Sequence, residues 1–357
     1  MGLFKKTFFI VFYIVFFILM TTFDCNSTEV INTPDLNDIE YPDDEAPTIA
    51  EIHLGKLLYF DKRLSGNGKT SCATCHNPDH GFGDGLKASL GSKGNPLNRH
   101  TPHLYNLAWS SILFWDGRAT SLEQQVLMPI SNPDEMNLSQ EKMLDLVSVT
   151  PLYKEKFEQV YSAKTIDALL ISKALAAFVR SIISKNSPFD RYLAGDVYAL
   201  SPEAINGIKL FEGKAKCTEC HDGPNLTDDS FHSLGIAVKD KGRGIIIKDS
   251  AMSYRFKTPG LRNVSLTGPY MHDGSLPDLE AVIQFYNDGG GIGPNKDSLI
   301  KPLNLEEFEV RDLIAFLSAL TDPVIIERPQ LLELYQSKSK GKKKESLYAT
   351  EISQRVP

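Results

Sequence analysis

The pentapeptides Cys72-Ala73-Thr74-Cys75-His76 and Cys217-Thr218-Glu219-Cys220-His221 decide the reading of this 357-residue chain. They hold four of its five cysteines, and the fifth is Cys25. C-x-x-C-H is the attachment motif of haem c. Two thiols three residues apart can each add to a vinyl group on one edge of a porphyrin. The next residue, histidine, then comes under the ring and ligates iron through an imidazole nitrogen. A four-cysteine zinc site does not require a histidine after both pairs, and a disulfide framework requires none. Two covalently bound haems c are therefore expected, with His76 and His221 as axial ligands. Attachment of this kind takes place outside the bacterial cytoplasm.

Outward from each motif the wording repeats. Leu54-Gly55-Lys56-Leu57-Leu58-Tyr59-Phe60 precedes the first and Gly207-Ile208-Lys209-Leu210-Phe211 the second, as in a duplicated cytochrome c unit. Between them Ile166, Leu169, Leu170, Leu175, Phe178, Val179, Ile182 and Ile183 recur at helical spacing, predicting a helix over 165–184. Phe308, Leu313, Ile314, Leu317 and Leu320 mark a closing helix that Asp322-Pro323 ends. Strand-like alternation is scarce, and 25 Gly and 20 Pro make long loops. The expected fold is mainly α, with two cytochrome c-like domains, each around one covalent haem. The expected boundaries are a signal segment at 1–24, a linker at 25–47, haem domains at 48–190 and 191–325, and a tail at 326–357.

Composition is that of an ordinary globular protein, with 42% hydrophobic and 23% charged residues and a formal net charge of −7. Such a chain is not basic enough for nucleic acid. The run Lys338, Lys340, Lys342, Lys343, Lys344, interleaved with Ser and Gly, reads as a solvated tail. Lys5 and Lys6 ahead of the apolar run from Phe8 to Met20 read as a secretory signal, and the run is shorter than the ~20 residues of a membrane-spanning helix. No clean small-x-small cleavage site follows, so an uncleaved anchor stays open. So does lipidation at Cys25, although Thr22-Phe23-Asp24 matches a lipid-attachment signal poorly. The periplasm is the expected compartment, and the acidic mature chain would steer a basic or neutral protein partner toward it.

Residues 95–136 hold a further cluster: Arg99-His100-Thr101-Pro102, Asn106, Phe114-Trp115-Asp116-Gly117-Arg118, Gln125, Pro129 and Glu135-Met136. Ser121 and Gln124 form a capping-box pattern, so a helix starts near Leu122. Gln125 falls in its first turn, Pro129 and Pro133 are expected to end it, and a loop carries Glu135. Taken with Leu261-Arg262-Asn263-Val264 and Pro269-Tyr270-Met271-His272-Asp273-Gly274, this order resembles the bacterial di-haem cytochrome c peroxidase family, including its MauG branch. The resemblance covers roughly residues 50–322.

The resemblance implies roles position by position. His76 matches the proximal ligand of the haem where peroxide binds, and Gln125, Pro129 and Glu135 match residues on its open side. A carboxylate there can move a proton between peroxide oxygens during O–O cleavage, and the amide can orient the oxidant. Trp115 matches an aromatic relay between the haems; read alone it would be a core aromatic. His221 matches the proximal ligand of the second haem. Tyr286 stands where the peroxidase branch has a Met and the MauG branch a Tyr. Leu279, Val282, Ile283 and Tyr286 share one helix face, with Met271 or Met252 as the alternative ligand. An anionic phenolate stabilises oxidised iron and lowers its potential, whereas a thioether raises it.

Two departures pull in opposite directions. Where the peroxidase branch places a distal His, this chain has Gly91-Ser92-Lys93-Gly94, so the first haem is expected to be open at rest unless His80, His100 or His103 substitutes. Where MauG has a Trp used against a protein substrate, this chain has Ala215. The family also holds calcium by two backbone carbonyls and an Asn. Thr267 and Pro269 match the carbonyl positions, while the Asn position is His100, a poor calcium ligand; calcium stays open. The implied activity is a periplasmic di-haem peroxidase that reduces hydrogen peroxide with electrons from a small c-type cytochrome or copper protein. The alternatives are MauG-like oxidation of an organic or protein substrate, or a non-enzymatic di-haem electron carrier. A homodimer is compatible with each.

Overall fold

An acidic stretch with two single turns, Leu36–Asp38 and Pro42–Asp44, leads into the first long helix. The computed structural model describes residues 30–236, 239–322 and 324–329. The signal segment, Cys25 and the lysine run lie outside the described residues. Helix α1 spans Ile49–Phe60, opened by a capping box in which Thr48 Oγ1 accepts from Glu51 N and Glu51 Oε2 accepts from Thr48 N. Helix α2 is the single turn Cys72–Cys75 that presents the first motif. Then follow α3 (Leu122–Ser131), α4 (Gln140–Val149), α5 (Pro151–Tyr161) and α6 (Ala168–Arg180). The second half contains α7 (Pro188–Leu193), α8 (Pro202–Glu212), α9 (Arg243–Ile247), α10 (Leu279–Asn287) and α11 (Glu307–Ala319). Two-residue strands β1 (Phe231–His232) and β2 (Phe256–Lys257) pair antiparallel. Among the described residues no helix is long and apolar enough to cross a membrane.

The repeated wording around the two motifs has a packing reason. Gly55 of α1 lies so close to α6 that a Cβ there would come 1.8 Å from the Ala174 carbonyl oxygen. Gly207 of α8 meets α11 in the same way, 2.1 Å from the Asp312 carbonyl oxygen. One turn on, Tyr59 packs against Phe178 at 4.8 Å between centroids, and Phe211 against Phe316 at 5.1 Å. Each unit thus crosses the helix ahead of its motif over its last helix at a glycine and locks the crossing with an aromatic pair, worth ~0.5–1.5 kcal/mol beyond area burial.

Two hydrophobic clusters result. One joins Leu54, Leu58, Phe82, Leu122, Tyr153, Phe157, Leu175 and Phe178; the other joins Phe189, Phe211, Leu226, Ile283, Leu313 and Phe316. The outermost described segments are exchanged between them. Ile31 is buried in the second cluster, whereas Val324 and Ile326 pack on the first. Polar ties join the halves: Arg262, buried against Asp190 at 2.9 Å within the second, donates to the Asn32 carbonyl, and Asn106 of the first donates to Asn225.

Three sequence expectations change. Pro129 does not end its helix; α3 continues to Ser131 and stops ahead of Pro133. Proline lacks the N–H that would reach the carbonyl four residues back, so the cost falls on the Gln125 carbonyl alone. The capping box at Ser121 is half formed: Ser121 Oγ accepts from Gln124 N, but Gln124 Oε1 accepts from Thr120 N instead. The helix expected over 165–184 is shorter, because Asp167 caps α6 and the turn at Ser181 ends it.

Candidate functional site

Both motif histidines are dressed alike. His76 Nδ1 lies 3.1 Å from the Phe82 carbonyl and His221 Nδ1 lies 2.9 Å from the Leu226 carbonyl. A carbonyl only accepts, so Nδ1 carries the proton in each ring and the Nε2 lone pair remains for a metal. Burial lowers both pKa values and keeps the imidazoles neutral, as ligation requires. The thiols are also held neutral: burial pushes Cys72 up to about 12, Cys75 to about 11 and Cys217 to about 12. These are the reverse of the cationic surroundings that activate a nucleophilic thiolate.

His221, Cys217 and Cys220 line one large apolar cavity with Tyr286, Met271, Leu279, Val282, Ile283 and Leu313. Such a cleft, with a C-x-x-C-H on one wall, fits a haem. Tyr286 stands on α10 in that wall, and burial together with the nearby Cys217 and Cys220 raises its hydroxyl above the usual phenol range. Met271 lines the same cavity; Met252 is not among its lining residues.

Trp115, His100 and His103 close the cavity on the side of the first unit. Trp115 Nε1 donates to the His100 carbonyl at 2.9 Å, and Lys257 N donates to the Trp115 carbonyl at 2.8 Å. His103 is committed at both nitrogens, to Tyr105 N and the Gly260 carbonyl. His100 Nδ1 is committed to the Leu86 carbonyl. His80 ends an exposed turn.

Near the first motif, Glu135 is close enough to Cys75 to raise its pKa. Asn132 Nδ2 donates to Glu135 Oε1 at 2.9 Å, and burial outweighs this bond and Arg118 to raise the carboxyl above its ordinary value. The loop without a histidine is pinned to the same place. Ser92 N donates to the Glu135 carbonyl at 2.7 Å, Asn67 Nδ2 donates to the Ser92 carbonyl, and a Cβ on Gly91 would lie 1.8 Å from the Asp134 carbonyl oxygen. Gln125 is half-buried on α3, and the carbonyl of Pro129, two positions from the helix end, accepts from Met136 N. Thr267, Pro269 and His100 all line that same cavity, the one of the second motif. This set offers carbonyls and an imidazole but no carboxylate, a thin donor set for calcium.

Several contacts give no sequence signal. Tyr59 is buried and its hydroxyl donates to the His76 carbonyl. Arg118 lies 3.5 Å over the Phe114 ring and pairs with Asp116. His232 is held between Asp228 at 2.9 Å and Asp297 at 2.8 Å, and its bond to Asp228 is the largest cause that raises it to about 11. Cys220, Asp228 and His232 could hold a metal by their proximity alone, but a thioether at Cys220 removes the thiolate.

A mostly helical fold with two half-buried, neutral C-x-x-C-H histidines fits a di-haem c-type protein. Residues 49–198 match the di-haem cytochrome c peroxidase family. The chain is 45% identical over 298 residues to the methylamine utilization protein MauG of Methylorubrum extorquens, covering 82% of this chain and 84% of that one. It is 35% identical to the cytochrome c551 peroxidase of Nitrosomonas europaea, covering 75% and 79%. A solved MauG-like protein associated with microbial copper homeostasis superposes with a TM-score of 0.75 at 30% identity, covering 84% and 96%. The chain belongs to the di-haem cytochrome c peroxidase and MauG family. It is accordingly an oxidoreductase with two covalently bound c-type haems.

Proposed function

We propose that the chain is a periplasmic peroxidase that reduces hydrogen peroxide to water beside His76, with electrons delivered by a small redox protein through the pocket of His221. The observation that carries this reading is Glu135: a half-buried carboxyl of raised pKa, whose charge is felt at Cys75 and whose carbonyl holds a loop that carries no histidine. The bound haems supply the iron that exchanges electrons with peroxide. His76 and His221 would hold them, their rings fixed by the Phe82 and Leu226 carbonyls. The Glu135 carboxylate takes a proton from the near oxygen of peroxide and returns it to the departing one. Gln125 orients the oxidant, and Asn132 fixes the Glu135 oxygen that does not move the proton. Trp115 carries electrons between the pockets.

Glu135→Gln keeps the shape and removes the proton carrier. In stopped-flow mixing of peroxide with the ferric protein, the reaction rate is expected to fall by about 10²–10⁴-fold. The parent reacts through the carboxylate, so its rate is lost on acidification, at a higher pH than for an exposed glutamate. The variant should lack that limb. An unchanged rate and profile would remove Glu135 from the mechanism.

A second reading, MauG-like oxidation of an organic or protein substrate, is favoured by Tyr286 in the wall of the second cavity and opposed by the buried Ala215. A plain electron carrier has no use for a half-buried acid of raised pKa near its first haem motif.

A further inference from the structure

Ile245, Ile246 and Ile247 are consecutive on α9 and are 60, 38 and 44% exposed. Three adjacent branched apolar side chains facing water on one turn mark a contact surface rather than a scattered surface residue. The turn is rigidly held. Arg243 Nη1 donates to the Asp116 and Gly117 carbonyls at 3.1 and 2.7 Å, and its guanidinium lies 4.7 Å over the Phe231 ring. Tyr254, which lines the second cavity, donates its backbone N–H to the Lys241 carbonyl.

Charge says what covers it. Lys239, Lys241 and Lys248 flank the triplet and are exposed. Of the two acids in the segment, Asp240 is taken by Arg99, and Asp249 caps the next turn. The patch is thus cationic on a chain of net charge −7. That sign disfavours a second copy of the patch itself, and it equally disfavours the chain's own lysine run at 338–344.

We propose that the isoleucine turn at 245–247 is the docking surface for a small acidic redox protein whose cofactor edge is apolar. This rests on the functional reading above and names the partner of the same second pocket. From the patch, a route runs through the Arg243 guanidinium to the Asp116 carbonyl, one residue from Trp115. Each peroxide reduced to two waters takes up two electrons and two protons, so two reduced partners are each oxidised by one electron.

The test is binding and electron entry, measured on the haem-loaded protein. The probes are a small acidic copper protein and, for contrast, a small basic cytochrome c. Calorimetry should give a Kd for the acidic probe that weakens about tenfold or more in Ile245→Ser/Ile246→Ser/Ile247→Ser, and likewise in Lys241→Glu/Lys248→Glu. Stopped-flow reduction of the ferric protein by the reduced acidic probe should slow in parallel, while reduction by ascorbate does not change. The charge reversal alters only exposed side chains and keeps the test decisive if the triple variant fails to fold. Unchanged binding in the charge reversal, or tighter parental binding of the basic probe, would overturn the proposal. So would a parental dimer that the triple variant dissolves, since a second copy would then cover the patch. Absence of any peroxide reaction would instead defeat the functional reading and leave the docking result standing.

Discussion

Replacing Tyr286 by Phe removes a hydroxyl that faces Cys217 and Cys220 inside the second cavity. A phenolate stabilises ferric iron, so the variant is expected to show a higher midpoint potential in spectroelectrochemistry and an altered low-spin EPR signal. If neither moves, the ligand is Met271, the thioether that lines the same cavity. A second change at this scale concerns His100. Asn at this position would add an oxygen donor beside the Thr267 and Pro269 carbonyls, so His100→Asn should bind calcium more tightly in a chelator competition than the parent does. Equal affinity would show that the carbonyls do not converge on an ion. The motif residues are legible in the sequence because covalent chemistry fixes their spacing. Tyr59 and the His232–Asp297 pair are not, since their partners lie 17 and 65 positions away in sequence.

The helix crossings make their own prediction. Gly55→Ala and Gly207→Ala place a methyl against a backbone carbonyl that no rotamer can move. Overpacking of this kind costs about 1–3 kcal/mol, so each variant should shift its denaturation midpoint downward and weaken the packing of Tyr59 on Phe178 or of Phe211 on Phe316. A stability equal to the parent's would mean that the crossing opens without penalty. Sequence periodicity locates α6 and α11 because burial on one face imposes it, whereas α1 and α8 show only as repeated wording ahead of each motif. It misplaces the end of α3, since proline costs a helix little where the freed carbonyl finds another donor or water. It also passes over α9, whose apolar residues face out and leave no amphipathic pattern.

Across the whole molecule the charge distribution differs from its sum. The acidic total points to a basic or neutral partner, while the cationic turn beside the second pocket selects the opposite sign locally. Raising ionic strength should therefore slow electron entry from an acidic donor, because exposed charges are screened beyond ~8–10 Å at physiological salt. Rates independent of salt would detach the lysines from docking. Composition and motif order reveal two haem units because each has its own apolar set; the exchanged segments stay hidden, since Ile31 and Ile326 look like any apolar residue in a polar extension.

That exchange has a consequence for how the protein can be taken apart. The segment carrying Ile31 belongs by sequence to the first unit and is buried in the second, while Val324 and Ile326 follow the second unit and rest on the first. A protease that nicks the chain once, near Lys185-Asn186, would therefore leave two fragments that hold each other like clasped hands. They should elute together from a sizing column until a denaturant loosens both grips.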